Sequence, residues 1–240
     1  MSPDKIRTKR RRGASLTAAP PPRVATRVFY AVAEGRVTEY DYLTVLQNAF
    51  AERCSFRIDM PPQSSRSDDM TPARVVEHAL MVAKDDGQHG QYKEIWAIFD
   101  RDEHPDVMKA INAVRKHPKI KIAFSHPSFD FWLLLHFYSF NVPQNGHNDD
   151  VLSRLATCPG FTGFGRGDKK ITEVRAAELR LRIGAAVSNA RALAKHCADG
   201  RCAHDRGNPQ FCGPLEQDPS TGMWCLLESL GVTTATDVER

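Results

Sequence analysis

The sequence of 240 residues predicts an α/β fold, in which a mainly parallel sheet is flanked by helices and followed by an α-helical C-terminal part. Short runs of β-branched and aromatic residues alternate with segments whose apolar residues recur every three or four positions. This alternation is typical of β-α-β units with right-handed crossovers. From residue 141 onward the pattern becomes helical or loop-rich. An apolar content of 41% is enough for a substantial core.

The first strand is predicted over residues 26–33, a run rich in β-branched and aromatic residues. It ends at Glu34-Gly35, where glycine permits a sharp turn. Thr38 is the predicted N-cap of the helix that follows. Thr71 is a second predicted N-cap, with Pro72 at the first helical position, where a missing N–H costs nothing. The other strands are predicted over residues 55–60, 94–99 and 119–124.

Helices are predicted for most of the remaining chain. One opens at Pro105, and the segment 129–140 is too apolar on every side for a surface helix, so we expect it to be buried. Further helices are predicted over residues 150–156, 172–196 and 223–230. We therefore divide the chain into a disordered basic and proline-rich tail (1–24), an α/β core (25–140) and a helical extension packed on that core (141–240).

The net charge of +4 is concentrated near the N-terminus, where six basic residues less Asp4 give +5. These basic residues are Lys5, Arg7, Lys9, Arg10, Arg11 and Arg12. Such an arm suits phosphate backbones through counterion release, but basic tails also serve as solubilising or partner-binding ends. No run approaches ~18 apolar residues, and the basic N-terminus has no apolar signal region, so we expect a cytoplasmic protein without a membrane partner.

Six cysteines are dispersed through the chain, and reduced thiols are the default interpretation. A late group, Cys197, Cys202, His204 and Cys212, has the residue types of a zinc site. Its spacing matches no common zinc knuckle, so free thiols remain the preferred interpretation.

Acidic residues follow two of the predicted strands. Asp100 and Asp102 lie two positions apart after the apolar run 95–99, and Glu34 ends the first strand. Ligands bind outside the carboxyl ends of parallel strands, so neighbouring strands would bring three carboxylates together, with no lysine in these motifs to neutralise them. Mg²⁺ or Mn²⁺ is the natural occupant of such a cluster. The alternative is that each acid simply ends a strand and solvates a loop.

Four sequence blocks together resemble the RloB-like proteins, whose core is similar to the Toprim domain of topoisomerases, primases and OLD-type nucleases. The blocks cover residues 32–39, 96–104, 125–137 and 188–191, and the basic tail and the segment Asp218-Pro219-Ser220-Thr221 extend the resemblance over most of the chain. The two central blocks are the specific ones. The resemblance implies a Toprim-like fold.

The resemblance also implies roles for individual residues. Glu34 corresponds to the Toprim glutamate, a general acid/base or metal ligand, and Asp100 and Asp102 correspond to the metal-binding D-x-D pair. His104 belongs to the same block and is a further catalytic candidate. RloB-like proteins are linked with phage defence by abortive infection, are commonly encoded beside an AAA-type ATPase, and are thought to act as nucleases on RNA, including tRNA, or on DNA.

The chain departs from the family pattern at several positions. Ala33 replaces a usual cysteine, and Val37 stands where lysine is common. Asp130 replaces a usual glutamate. Asp130 is therefore either an additional metal ligand or a helix N-terminal acid favoured by the helix dipole.

Nucleic-acid contact is expected from cations outside the acidic motifs. The segment 163–170 combines glycines, an aromatic residue and three cations, which suits a mobile loop that grips a substrate or is simply exposed. The candidate contacts are Arg10, Arg11, Arg12, Arg36, Arg101, Arg166, Lys169 and Lys170. His126 is a further phosphate-contact candidate, whereas His136, Trp96 and Trp132 are predicted core residues.

We predict a metal-dependent nuclease whose ATP dependence, if any, comes from a partner, because the sequence contains no G-x-x-x-x-G-K-[ST] motif. One alternative is a non-catalytic nucleic-acid-binding or regulatory subunit of an ATPase-containing defence complex. Another keeps the metal but performs strand or nucleotidyl transfer. The sequence leaves the oligomeric state open.

Overall fold

The computed structural model describes residues 25–66, 70–101, 104, 107–194, 215 and 217–233. Within these residues lie one five-stranded sheet and eight α-helices. The strands are β1 (Arg27–Ala33), β2 (Phe56–Asp59), β3 (Glu94–Asp100), β4 (Ile120–His126) and β5 (Ser220–Thr221). The helices are α1 (Thr38–Cys54), α2 (Pro72–His89), α3 (Val107–Ala113), α4 (Phe129–Leu134), α5 (Asp149–Leu155), α6 (Glu173–Leu181), α7 (Ile183–Ala194) and α8 (Met223–Leu230).

The sheet has the order β2-β1-β3-β4-β5. The first four strands are parallel and β5 is antiparallel to β4, so the predicted α/β fold with a mainly parallel sheet is confirmed. Ala33 of β1 is in register with Ile98 of β3, and Asp100 of β3 is in register with Ser125 of β4. The carboxyl ends of these three strands therefore meet at one edge of the sheet.

Both faces of the sheet are apolar, because strand residues alternate between two buried layers. On one face, Phe29, Ala31 and Ala33 pack with α1, α4 and the C-terminal helices. On the other, Tyr30 and Val32 pack with α2 and α3. The helices after residue 140 thus share one apolar cluster with the sheet.

Local sequence signals located most elements to within a few residues. Thr71 caps α2 by accepting a hydrogen bond from the Arg74 N–H, and Pro72 is the first helical residue, as predicted. Helix α8 has the predicted bounds. Trp132 and His136 are buried, in agreement with their assignment to the core.

Three local predictions were wrong. Thr38 does not cap α1 but is its first residue, and its hydroxyl donates to the Lys169 carbonyl instead. The single long helix predicted from residue 172 is two helices, α6 and α7, separated at Arg182, whose φ of −115° and ψ of 11° depart from helical values. The buried segment that starts at Phe129 is helical only as far as Leu134.

The short strand β5 was not predicted. It brings Ser220 and Thr221 beside the end of β4, at the sheet edge that carries the acidic residues. Among the described residues, no helix is long and apolar enough to cross a membrane. The basic tail, including Arg10, Arg11 and Arg12, and the late cysteines 197, 202 and 212 lie outside the described residues.

Candidate active site

Glu34 and Asp100 lie side by side at the carboxyl edge of the sheet. The Glu34 backbone N–H donates to the Ile98 carbonyl at 2.9 Å, which extends the pairing of β1 with β3 by one residue. The Asp100 backbone N–H donates to Glu34 Oε2 at 3.0 Å. Asp100 Oδ2 in turn accepts from the Phe129 N–H at the start of α4, at 2.9 Å. The two acidic residues that were placed at strand ends from sequence are thus neighbours.

His104 contacts the other oxygen of Glu34. Its Nε2 lies 3.0 Å from Glu34 Oε1, and the imidazole is about one third exposed. The ring can therefore exchange protons with solvent while it remains in contact with a carboxylate. Asp102, the second acid of the predicted pair, lies outside the described residues.

Asp130 reaches the same region from the first turn of α4. It is only 3% exposed, and its Oδ2 accepts from Asn148 Nδ2 at 2.6 Å. The same oxygen forms an ion pair with Lys169. Two partners thus hold the carboxylate of Asp130 in place. Its negative charge lies close enough to Glu39 to raise the pKa of that residue.

Glu39 is a fourth acid of this cluster, and sequence analysis did not select it. It lies in the first turn of α1 and is 8% exposed, and its carboxylate is packed against Gly35, where a Cβ would overlap it. Burial raises the pKa of Glu39 from 4.5 to about 7, and the negative charges of Asp130 and Glu34 act in the same direction. No local spacing marks Glu39 as a site residue, because Gly35 precedes the first residue of α1 and meets Glu39 only through the turn between β1 and α1.

The segment that carries Lys169 is tied to α1. The Lys169 carbonyl accepts from the Thr38 hydroxyl at 2.8 Å, and the Ile171 N–H donates to Asp41 Oδ2 at 3.0 Å. The Lys169 ammonium lies 5.4 Å from the centre of the Phe164 ring, within the range of a cation–π contact. A lysine from a distant part of the sequence therefore lies within the acidic cluster, although the acidic motifs themselves contain none.

Arg175 holds the rest of this segment in place. It is 3% exposed and donates to the Lys170 carbonyl at 2.6 Å and to Asp168 Oδ2 at 2.9 Å. Its guanidinium also lies 5.0 Å from the ring centre of Phe164. A buried arginine with these partners anchors the loop to the first turn of α6. The mobility expected of residues 163–170 stays a prediction.

The other predicted nucleic-acid contacts lie around this cluster. Arg36 and Lys170 are exposed. Arg101 donates to the His104 carbonyl at 3.3 Å. Arg166 is exposed and forms an ion pair with the exposed Asp149 at 2.9 Å. These positions leave cationic side chains at the surface near the acidic edge, where they are accessible to a polyanion.

The donor set fits a hard divalent cation. Glu34, Glu39, Asp100 and Asp130 supply only carboxylate oxygens, the ligands that Mg²⁺ and Mn²⁺ prefer. The raised pKa of Glu39 reflects its burial first, and the charges of Asp130 and Glu34 add to it. As the side chains stand, no three His, Cys, Asp or Glu groups within the described ranges are arranged to hold one ion. His104 and Lys169 occupy part of the carboxylate surface, and Asp102 lies outside those ranges.

Comparison with known proteins identifies the family. The family model described as "RloB-like protein" matches residues 29–230, which is most of the chain. No curated protein and no solved structure matches the chain.

Proposed function

This chain belongs to the RloB-like family, and we propose that it is a metal-dependent nuclease that hydrolyses phosphodiester bonds of RNA or DNA. The observation that carries the proposal is the convergence of Glu34, Glu39, Asp100 and Asp130 with Lys169 at the carboxyl edge of the sheet. Carboxylates grouped at the carboxyl edge of a parallel sheet, two of them buried, favour binding of a cation or transfer of protons.

Glu34, Asp100 and Asp130 would hold Mg²⁺ or Mn²⁺, with Asp102 as a further ligand that the family resemblance implies. The ion, when bound, supplies charge stabilisation for a phosphodiester and lowers the pKa of water. The neighbouring side chains have roles of their own. His104, in contact with Glu34 and partly exposed, can relay a proton between that carboxylate and solvent.

Lys169 supplies a fixed positive charge to the same region. Its ammonium holds the Asp130 carboxylate, and its position depends on the buried Arg175 and the contacts with α1. A preorganised cation beside a reacting phosphate stabilises the negative charge that develops during hydrolysis. We therefore assign Lys169 to electrostatic stabilisation, with Asp130 orienting it.

The biological setting proposed here follows from the family. We propose antiviral defence by abortive infection, with RNA, including tRNA, or DNA as the polymer that is cut. An AAA-type ATPase partner would supply control by nucleotide, since the sequence has no phosphate-binding loop of its own.

The test is cleavage of total cellular RNA and of plasmid DNA by the purified full chain, with Mg²⁺, with Mn²⁺ and with EDTA. Glu34→Gln and Asp100→Asn remove a charge at the site, and Glu52→Gln removes one from the exposed end of α1 as the matched control. We expect metal-dependent cutting that both site variants abolish and the control retains. Metal-dependent cutting that survives both site variants contradicts the assignment of the site.

A non-catalytic binding subunit is the second candidate. It is favoured by one observation: His104 and Lys169 already contact the carboxylates that a metal would need. This alternative predicts nucleic-acid binding without cutting, both for the chain alone and together with the neighbouring ATPase. It also predicts that Asp100→Asn leaves antiviral protection intact in cells.

A further inference from the structure

A polar cleft opens beside the acidic cluster, on the β4 side of Asp100. Its volume is about 430 Å³, within the ~300–1,000 Å³ that is typical of small-ligand sites. Arg101, His126, Asn145 and Asp218 supply its polar groups, and Pro143 and Leu215 supply apolar walls. The Arg101 backbone N–H donates to the Ser125 carbonyl at 2.8 Å, so the cleft begins one residue beyond Asp100.

Asp218 is held in place before any ligand arrives. Its Oδ1 and Oδ2 accept from the Gln144 N–H at 2.9 and 2.8 Å, and Oδ2 also accepts from the Asn145 N–H. A carboxylate has about four lone-pair positions, so it can still accept from a donor in the cleft. Asn145 has a φ of +54°, a conformation that asparagine tolerates well, and its side chain is exposed at the cleft.

His126 forms the inner wall. It is the last residue of β4 and 4% exposed, and its Nε2 lies 3.8 Å from Asp218 Oδ2. The cleft thus presents a guanidinium, an imidazole, an amide and a carboxylate within one small volume. This mixture provides both donors and acceptors, as a nucleobase edge requires, together with a positive charge for a phosphate.

We propose that this cleft binds one unpaired nucleotide adjacent to the phosphate that is cut, and that the substrate is therefore single-stranded nucleic acid or an unpaired loop. This inference rests on the proposed nuclease function for the identity of the neighbouring site. A base within a duplex is stacked on both faces and paired along its edge, so it cannot reach Asp218 and His126. An unstacked base could contact the apolar side chains of Pro143 and Leu215 and hydrogen-bond to these groups.

The experiment measures binding in EDTA, where metal-dependent cutting is absent. Fluorescence anisotropy of the full chain is recorded with a labelled single-stranded oligonucleotide, as RNA and as DNA, and with duplexes of the same sequences. Asn145→Asp places a negative charge in the cleft without leaving the conformation that Asn145 adopts. Asn141→Asp makes the same change at an exposed position of the same loop that does not line the cleft.

We expect the single strand to bind about tenfold more tightly than the duplex, and Asn145→Asp to weaken single-strand binding about tenfold. Asn141→Asp should change it less than about twofold, and duplex binding should respond equally and weakly to both variants. The proposal is overturned if the single strand and the duplex bind equally, or if the chain binds neither. It is also overturned if both variants weaken single-strand binding equally, or if the preference for the single strand survives Asn145→Asp.

Cleavage assays separate this inference from the proposed function. If the chain shows the expected binding pattern but cuts nothing, the nucleotide-binding cleft is supported and the nuclease function is refuted. If the chain cuts RNA or DNA in a metal-dependent manner but does not show the binding pattern, the nuclease function is supported and the nucleotide-binding cleft is refuted.

Discussion

Replacing Glu39 with glutamine tests the electrostatics of the acidic cluster through stability alone. Glutamine has nearly the same shape as glutamate and preserves the packing against Gly35, but it cannot ionise. In the folded wild type, burial raises the pKa of Glu39 from 4.5 to about 7. Between pH 4.5 and about 7, the Glu39 carboxyl is therefore mostly protonated in the folded protein, whereas it is mostly ionised in the unfolded chain.

The difference between the folded and unfolded pKa values of Glu39 sets how the free energy of unfolding changes with pH. A raised pKa means that the contribution of Glu39 to stability is fully present below pH 4.5 and is lost as the pH rises through about 7. The full difference corresponds to about 3 kcal/mol, most of which is lost between about pH 5 and about pH 8. Glu39→Gln should gain this amount relative to wild type across that interval.

The measurement is urea denaturation followed by tryptophan fluorescence, at several pH values and in EDTA. Subtracting the wild-type free energy of unfolding from that of the variant cancels the titration of all other groups that the substitution leaves unchanged. Glu52→Gln, at an exposed position of the same helix, is the control and should give a difference that is flat with pH. A difference for Glu39→Gln that is equally flat would refute the argument.

Adding Mg²⁺ extends the same experiment to the metal site. A cation beside the cluster favours ionised carboxylates and lowers the pKa of Glu39. The stability that wild type loses between about pH 5 and about pH 8 should therefore shrink when millimolar Mg²⁺ is present. An unchanged pH dependence would argue against metal binding at this edge.

Three further predictions concern neighbouring positions. Lys169→Met should lower metal-dependent cleavage by about 10²-fold or more, because it removes a preorganised cation. Lys84→Met, at an exposed position of α2, is the control and should change the rate less than about threefold. Equal losses in steady-state rates would contradict the role of Lys169. Gly35→Ala should cost about 1–3 kcal/mol in urea denaturation, since its Cβ overlaps the Glu39 carboxylate, and a chain of unchanged stability would show that the overlap is easily relieved. Burial lowers the pKa of His136 from 6.5 to about 3. The stability that depends on its neutral form is therefore present above pH 6.5 and falls by about 2 kcal/mol as the pH drops to about 5. His136→Gln should remove this acid sensitivity, and a variant that keeps it would refute the assignment of the effect to His136.

The parts of the fold that could be predicted from sequence depend on local patterns. Apolar runs of five to seven residues located β1 and β3, and the glycine and acids after them located Glu34 and Asp100 at one edge. Thr71 and Pro72 located the start of α2 because a cap involves only neighbouring residues. In each case the interaction that decides the structure spans only a few positions of the chain.

The parts that could not be predicted depend on contacts between distant residues. Lys169 meets Asp130 across 39 positions, and its carbonyl meets Thr38 across 131. Neither periodicity nor spacing encodes such pairs. Because the Thr38 hydroxyl donates to the Lys169 carbonyl, it does not cap α1 as its residue type favours. The burial of Glu39 likewise follows from the packing of α1 onto the sheet edge.

The fastening of Lys169 to the first turn of α1 has a consequence for the order in which the chain is made. The strands that carry Glu34 and Asp100, and the helix that carries Asp130, leave the ribosome before the segment around Lys169 and Arg175 exists. A nascent chain therefore has crowded carboxylates without the lysine that contacts them, and a chain terminated before residue 169 never acquires it. The acidic edge is completed only when the second half of the protein docks on the first.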